Sequence, residues 1–174
     1  YRPQIMNKPI IYQMLPRLWG SDKVRPKKNG GLEDNGTGKF SDIDKNTLDY
    51  LKWLGCSHVW YTGLIRHSTQ ESTQGCTASH PQFVKGKAGS PYAICDYYDV
   101  NAYLADNPND RMGEFEQLIK RSHEAGLKVI IDFVPNHVSR DYGKVGFSSE
   151  HPRLGAGDDT SVHWSADNDF FYYP

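Results

Sequence analysis

The chain has 174 residues and a formal net charge of −1, from 20 Lys and Arg against 21 Asp and Glu, with no basic stripe, so nucleic acid is not an expected partner. No apolar run approaches the ~20 residues that cross a bilayer, and no membrane span is expected. Apolar residues reach only 37% while aromatics reach 13%; composition alone reads that excess as core and rim packing, although a sugar-binding surface would show it too.

The length favours one domain with a sizeable core. Pro9–Leu15 (PIIYQML) is predicted as a first strand, and Arg17–Gly38, rich in Gly, Lys and Asp, as a long loop. Ser41, three residues before Asp44, reads as a capping box. Ile43, Leu48, Leu51 and Leu54 follow near helical spacing, and Gly55 stands where a helix-ending glycine belongs. His58–Ile65 (HVWYTGLI) is β-branched and aromatic, a second strand. Arg66–Pro91 is polar throughout and predicts a long loop without regular structure. Three cysteines (Cys56, Cys76, Cys95) do not make a disulfide framework. Cys76, His80 and His67 lack the paired clusters of a zinc site, so free thiols and loop histidines are expected.

Tyr92–Val100 (YAICDYYDV) predicts a partly extended segment, and Asn107–Asp110 offers turn and N-cap chemistry. Met112, Phe115, Leu118, Ile119 and Ala125 mark one face of a second helix, ended by Gly126. Leu127–Val134 has almost no polar alternation and reads as a third strand buried on both faces, as in parallel sheets. Strands entered through a helix and a glycine argue for parallel pairing with right-handed crossovers. Asp141–Pro174 shows no period and reads as an irregular insertion.

Asp132, Asn136 and His137 cluster at the C-terminal end of that third strand, the end where α/β sheets and barrels bind ligands. A carboxylate buried there needs donors or a cation. Asn136 offers a carbonyl oxygen suited to a hard cation such as Ca2+, and His137 a donor or acceptor for a hydroxylated ligand. Each also has a local reading: Asp132 caps amides, Asn136 holds the turn after Pro135, His137 is a satisfied loop histidine. Six residues that gather all three weigh toward a site. No G-x-G-x-x-G, Walker A or G-x-S-x-G sequence occurs, which leaves nucleotide binding and serine hydrolysis without support.

These segments, in this order, resemble the N-terminal part of an α-amylase family glycoside hydrolase. PIIYQMLPRLW is similar to the family's first barrel strand, and LDYLKWLGCSHVWYTGLI to its first helix and second strand, with Gly63 where a proline is usual. PYAICDYYDVN resembles the G-Y-D-x-x-D-Y-x-x-V segment, with Pro91 and Ala93 as departures. FEQLIKRSHEAGLKVIIDFVPNHVS resembles the second helix, third strand and D-x-x-x-N-H signature. The fold implied is α/β: a partial TIM (β/α)8 barrel with its first three βα units in residues 1–140, and the start of an inserted domain in 141–174.

The resemblance implies that His137 contacts the sugar next to the cleaved bond and that Tyr92 stacks on that ring. It implies that Asp132 is a buried acid ordering the site and that Asn136 is a calcium ligand where the family member carries calcium. A second ligand would come from the insertion, with Asp158, Asp159, Asp167 and Asp169 left as alternatives. The implied parent is a retaining α-glucan-active enzyme that hydrolyses or transfers α-glucosidic bonds, in a periplasmic or secreted setting. The alternatives are a non-catalytic relative that binds sugar or protein, and an unrelated α/β domain with a structural metal or phosphate ligand. Retaining chemistry needs two carboxylates ~5–5.5 Å apart, which the family draws from later strands. The chain opens on Tyr1 and shows no signal peptide, which reads as a mature or excised piece. Such a piece is expected to lack hydrolytic activity and to self-associate through unpaired strand edges.

Overall fold

The computed structural model describes residues 8–21, 25–144 and 153–174. Parts of the Arg17–Gly38 loop (22–24) and of the Asp141–Pro174 region (145–152), together with Tyr1, lie outside the described residues. In chain order the elements are β1 (Ile11–Met14), a four-residue α1 (Leu32–Asn35), α2 (Lys45–Trp53), β2 (His58–Tyr61), β3 (Ile65–His67), β4 (Ile94–Val100), α3 (Arg111–Glu124) and β5 (Lys128–Ile131), with short 3-10 turns between. β1, β2 and β5 form a parallel sheet in that spatial order, in the register Tyr12–Val59–Val129 and Met14–Tyr61–Ile131. α2 lies on the β1-to-β2 connection and α3 on the β2-to-β5 connection.

The core lies between the helices and one sheet face. Val59 and Tyr61 of β2 are fully buried against Leu48 and Leu51 of α2 and Leu118 of α3. The Tyr61 hydroxyl is tied to Ser122 Oγ of α3 at 2.7 Å, and burial holds that phenol above its ordinary pKa. The opposite face, with Ile11, Gln13, Trp60, Lys128 and Ile130, is at most half-buried.

Four expectations need correction. Asp44 is itself the N-cap of α2, its Oδ1 accepting from Thr47 N at 2.8 Å, while Ser41 sits in a preceding 3-10 turn. The second strand ends at Tyr61 rather than Ile65. Gly63, at φ +75°, turns the chain, and Ile65–His67 joins an antiparallel hairpin with β4. That left-handed backbone explains the departure at Gly63, because proline is locked near φ −65°. The third strand spans Lys128–Ile131 and is not buried on both faces: Ile131 is 44% and Phe133 65% exposed. It is an outer strand, and among the described residues neither β1 nor β5 pairs along its outer edge. Lastly, the 66–91 stretch is not structureless. Thr73 and Cys76 pair backbone to backbone, and Gln70 N and Ser68 N donate to Lys87 O and Ala93 O.

Candidate functional site

β5 delivers Asp132 one residue beyond its end. Asp132 Oδ1 accepts from Trp60 Nε1 of β2 at 2.5 Å. Its Oδ2 is buried with no hydrogen-bond partner, which is costly for a carboxylate oxygen. The carboxylate lines a small hollow with Gly63, Ile65, Pro91, Tyr92 and Val134. Tyr92 comes from the turn before β4; burial first, and then the Asp132 carboxylate, raise its phenol above the ordinary value. The structure therefore brings together two of the four site residues expected from sequence, Asp132 and Tyr92.

Asn136 and His137 follow on the exposed turn after Pro135, and His137 Nδ1 is bonded to Asn136 Oδ1. The imidazole is not walled into the interior. Among the described residues no hydrogen bond joins it to Tyr92, whose polar neighbour is Asp132. What positions this turn is Tyr97, which the sequence reading did not single out. Its hydroxyl donates to Val134 O at 2.8 Å and lies 3.5 Å from His137 O, while its ring packs on Phe133 at 5.4 Å. Ser139 N adds a bond to Ile94 O at 2.7 Å. Trp60, the Asp132 donor, was also missed; its one signal is alternation with the core-facing Val59 and Tyr61.

Beneath the hairpin lies a buried polar network. His67 Nε2 faces Ala88 O at 3.0 Å, a carbonyl that can only accept, so Nε2 carries the proton. Nδ1 then accepts from Asn101 Nδ2 at 2.8 Å. This neutral tautomer agrees with a pKa lowered to about 4, caused first by burial. Alongside it, Asp99 is held by Arg111 (2.7 and 2.8 Å) and Arg66 (3.3 Å), all three largely buried. Lys39 Nζ bridges the Tyr103 and Ala105 carbonyls at 2.8 Å each.

Calcium takes about 6–8 oxygens. Asn136 supplies one amide oxygen, already engaged by His137. Asp158 accepts from Asp169 N, Phe170 N and Tyr172, Asp159 from Ser161, and Asp169 from Gly155 N. Among the described residues no group of three or more His, Cys, Asp or Glu could hold a metal. The residues described do not by themselves fit a calcium site.

Comparison with known proteins identifies the family of the chain. The family described as alpha amylase, catalytic domain, matches residues 26–172. An α-glucosidase of Pediococcus pentosaceus is 26% identical over 145 residues, covering 83% of this chain and 18% of that protein. The amino acid transporter heavy chain SLC3A1 of Mus musculus is 28% identical over 146 residues, covering 83% and 16%. Among solved structures, a maltogenic α-amylase from Thermotoga neapolitana superposes with a TM-score of 0.51 at 29% identity, covering 78% of this chain and 25% of that one. The chain thus spans 16–18% of the length of the two curated relatives.

Proposed function

The chain belongs to the α-amylase family, and from that premise we propose that it is the N-terminal part of a retaining enzyme that hydrolyses or transfers α-glucosidic bonds. The observation that carries the reading is Asp132. It stands just past the end of a parallel strand, with a buried, unpartnered carboxylate oxygen beside the Tyr92 ring. That is the end of an α/β sheet where ligands bind. In this reading Tyr92 offers an apolar ring face to a sugar and His137, exposed on its turn, bonds a sugar hydroxyl. Asp132, fixed by Trp60, orders the pocket between them.

The three parallel strands with the helices α2 and α3 are two βα units and the third strand of a (β/α)8 barrel, and the sequence after Ser139 begins an inserted domain. The two carboxylates of the retaining reaction come from outside these 174 residues. One is the nucleophile that forms a glycosyl-enzyme; the other protonates the leaving oxygen and then activates water. An assay of the full-length protein on maltooligosaccharides, with the product anomer followed by NMR, tests this reading. Release of the α-anomer is expected. Release of the β-anomer contradicts the retaining assignment, and no turnover of any α-glucoside contradicts the enzymatic one.

A second reading has its own observation. The match to an amino acid transporter heavy chain spans as much of this chain as the glucosidase match does. The relationship is therefore shared with a protein named for transport, and the parent would then be a non-catalytic member that keeps the barrel.

A further inference from the structure

Described parts of two long connections, residues 17–18 and 30–37 after β1 and 69–88 between β3 and β4, line a cavity of about 230 Å3 together with Tyr103. It shares no lining residue with the hollow beside Asp132. The wall is mostly apolar, made by Leu18, Leu32, Ala88 and the largely buried Tyr103 ring. At Gly36 a Cβ would meet nothing within 4 Å, so the space there is open. At Gly31 a Cβ would overlap Glu71 Oε1, so the carboxylate in its present position sits against a bare backbone. Glu71 Oε2 accepts from Leu32 N at 2.7 Å, and Oε1 faces Lys87 Nζ at 3.5 Å. Arg17 completes the polar set. Its Nη1 donates to Gly89 O at 3.3 Å, and among the described residues no carboxylate pairs with it.

This pattern selects a class of ligand. An apolar molecule would strip water from the remaining donors of Arg17 and Lys87 and from the Glu71 carboxylate without replacing it, which is costly. A small anion would meet Glu71 on the same wall. A sugar ring satisfies both: its hydroxyls accept from Arg17 and Lys87 and donate to Glu71, while its C–H faces lie against Leu32 and Tyr103. The volume falls below the roughly 300–1,000 Å3 of pockets for larger ligands, which suits a single ring. One backbone segment also walls both sites. Arg17 holds Gly89 O on this side, and Pro91 and Tyr92 line the hollow beside Asp132.

We propose that this cavity binds one neutral glycosyl unit of an oligosaccharide, beyond the unit seated at Tyr92. The proposal rests on the carbohydrate reading of the Tyr92 site. The test is calorimetric binding of maltoheptaose and of a single-sugar aryl α-glucoside to the full-length protein. Ala88 is exposed at the cavity rim, so Ala88→Trp fills the space without crowding the core, and Ala88→Ser is the control. Ala88→Trp is expected to weaken maltoheptaose binding by about tenfold, the scale of a few lost hydrogen bonds, and to leave the aryl glucoside unchanged. If Ala88→Trp lowers the melting temperature, Lys87→Met, also at an exposed position, replaces it with the same expected direction. Wild-type affinity for maltoheptaose in the variants, or equal wild-type affinity for the two ligands, overturns the proposal. Absence of hydrolysis with intact length-dependent binding overturns the proposed activity instead and leaves this site standing.

Discussion

His67 shows how hydrogen bonds at one residue turn into a pH dependence. Its folded pKa is held at about 4 by burial, against 6.5 when exposed. Asn101, Ala88 and Tyr103 leave no acceptor for a second proton: Asn101 presents an amide N–H to Nδ1. The unfolded chain therefore binds more protons than the folded one between about pH 4 and 6.5. The stabilisation is fully present above pH 6.5 and is lost as the pH falls toward 4, by up to about 1.4 kcal/mol per pH unit. Denaturant titrations at pH 7.5 and 5.0 should show this loss, and His67→Gln should flatten it; an unchanged slope in the variant would assign the loss elsewhere. Gly63 gives a second residue-level expectation. With φ +75° and Leu15 and Pro91 3.1 Å from where a Cβ would sit, Gly63→Pro in the full-length protein should abolish cooperative folding, read by thermal melting. A wild-type melting curve would contradict the turn's role in splitting β2 from β3.

At the level of elements, periodicity located the helices well. Leu48 and Leu51 of α2 and Leu118 of α3 are buried as the spacing marks, whereas Leu54 and Met112 at the helix ends are 42% and 40% exposed, and Gly55 and Gly126 end both helices at positive φ. What the local pattern could not carry was pairing. HVWYTGLI is uniformly strand-like, so nothing short of the Gly63 backbone shows that its last residues pair with β4 instead of β1. The same holds for polar pairs distant in sequence. Arg66, Asp99 and Arg111 are ordinary surface residue types until the hairpin folds and α3 brings Arg111 to Asp99. Removing the shared carboxylate takes this counter-charge from two largely buried arginines, so Asp99→Asn should cost about 3 kcal/mol in denaturant titration. A cost near zero would show the pair to be solvent-screened. The candidate site was legible at Asp132, which the structure sets beside Tyr92. It was illegible where a partner comes from another strand, as Trp60 and Tyr97 do.

Across the whole molecule, the parallel sheet presents one packed and one open face. Ile11, Trp60 and Ile130 lie on the open one, and neither outer strand edge is paired among the described residues. Apolar strand residues left half-covered favour association. The 174-residue chain alone is expected to sediment as a concentration-dependent mixture and to release no sugar from maltooligosaccharides; a monodisperse, cooperatively melting monomer would count against an open sheet. The apolar run Leu127–Val134 fits the same picture: its sequence carries the pattern of a doubly covered strand, while its present neighbours cover one side. The central claim is that the pocket at the end of β5 receives a sugar ring. A crystal structure of the full-length protein soaked with maltotetraose tests it most directly. A glucosyl ring should lie on Tyr92 beside Asp132, with a hydroxyl within about 3.2 Å of a His137 ring nitrogen; sugar bound elsewhere while that pocket stays empty would contradict it.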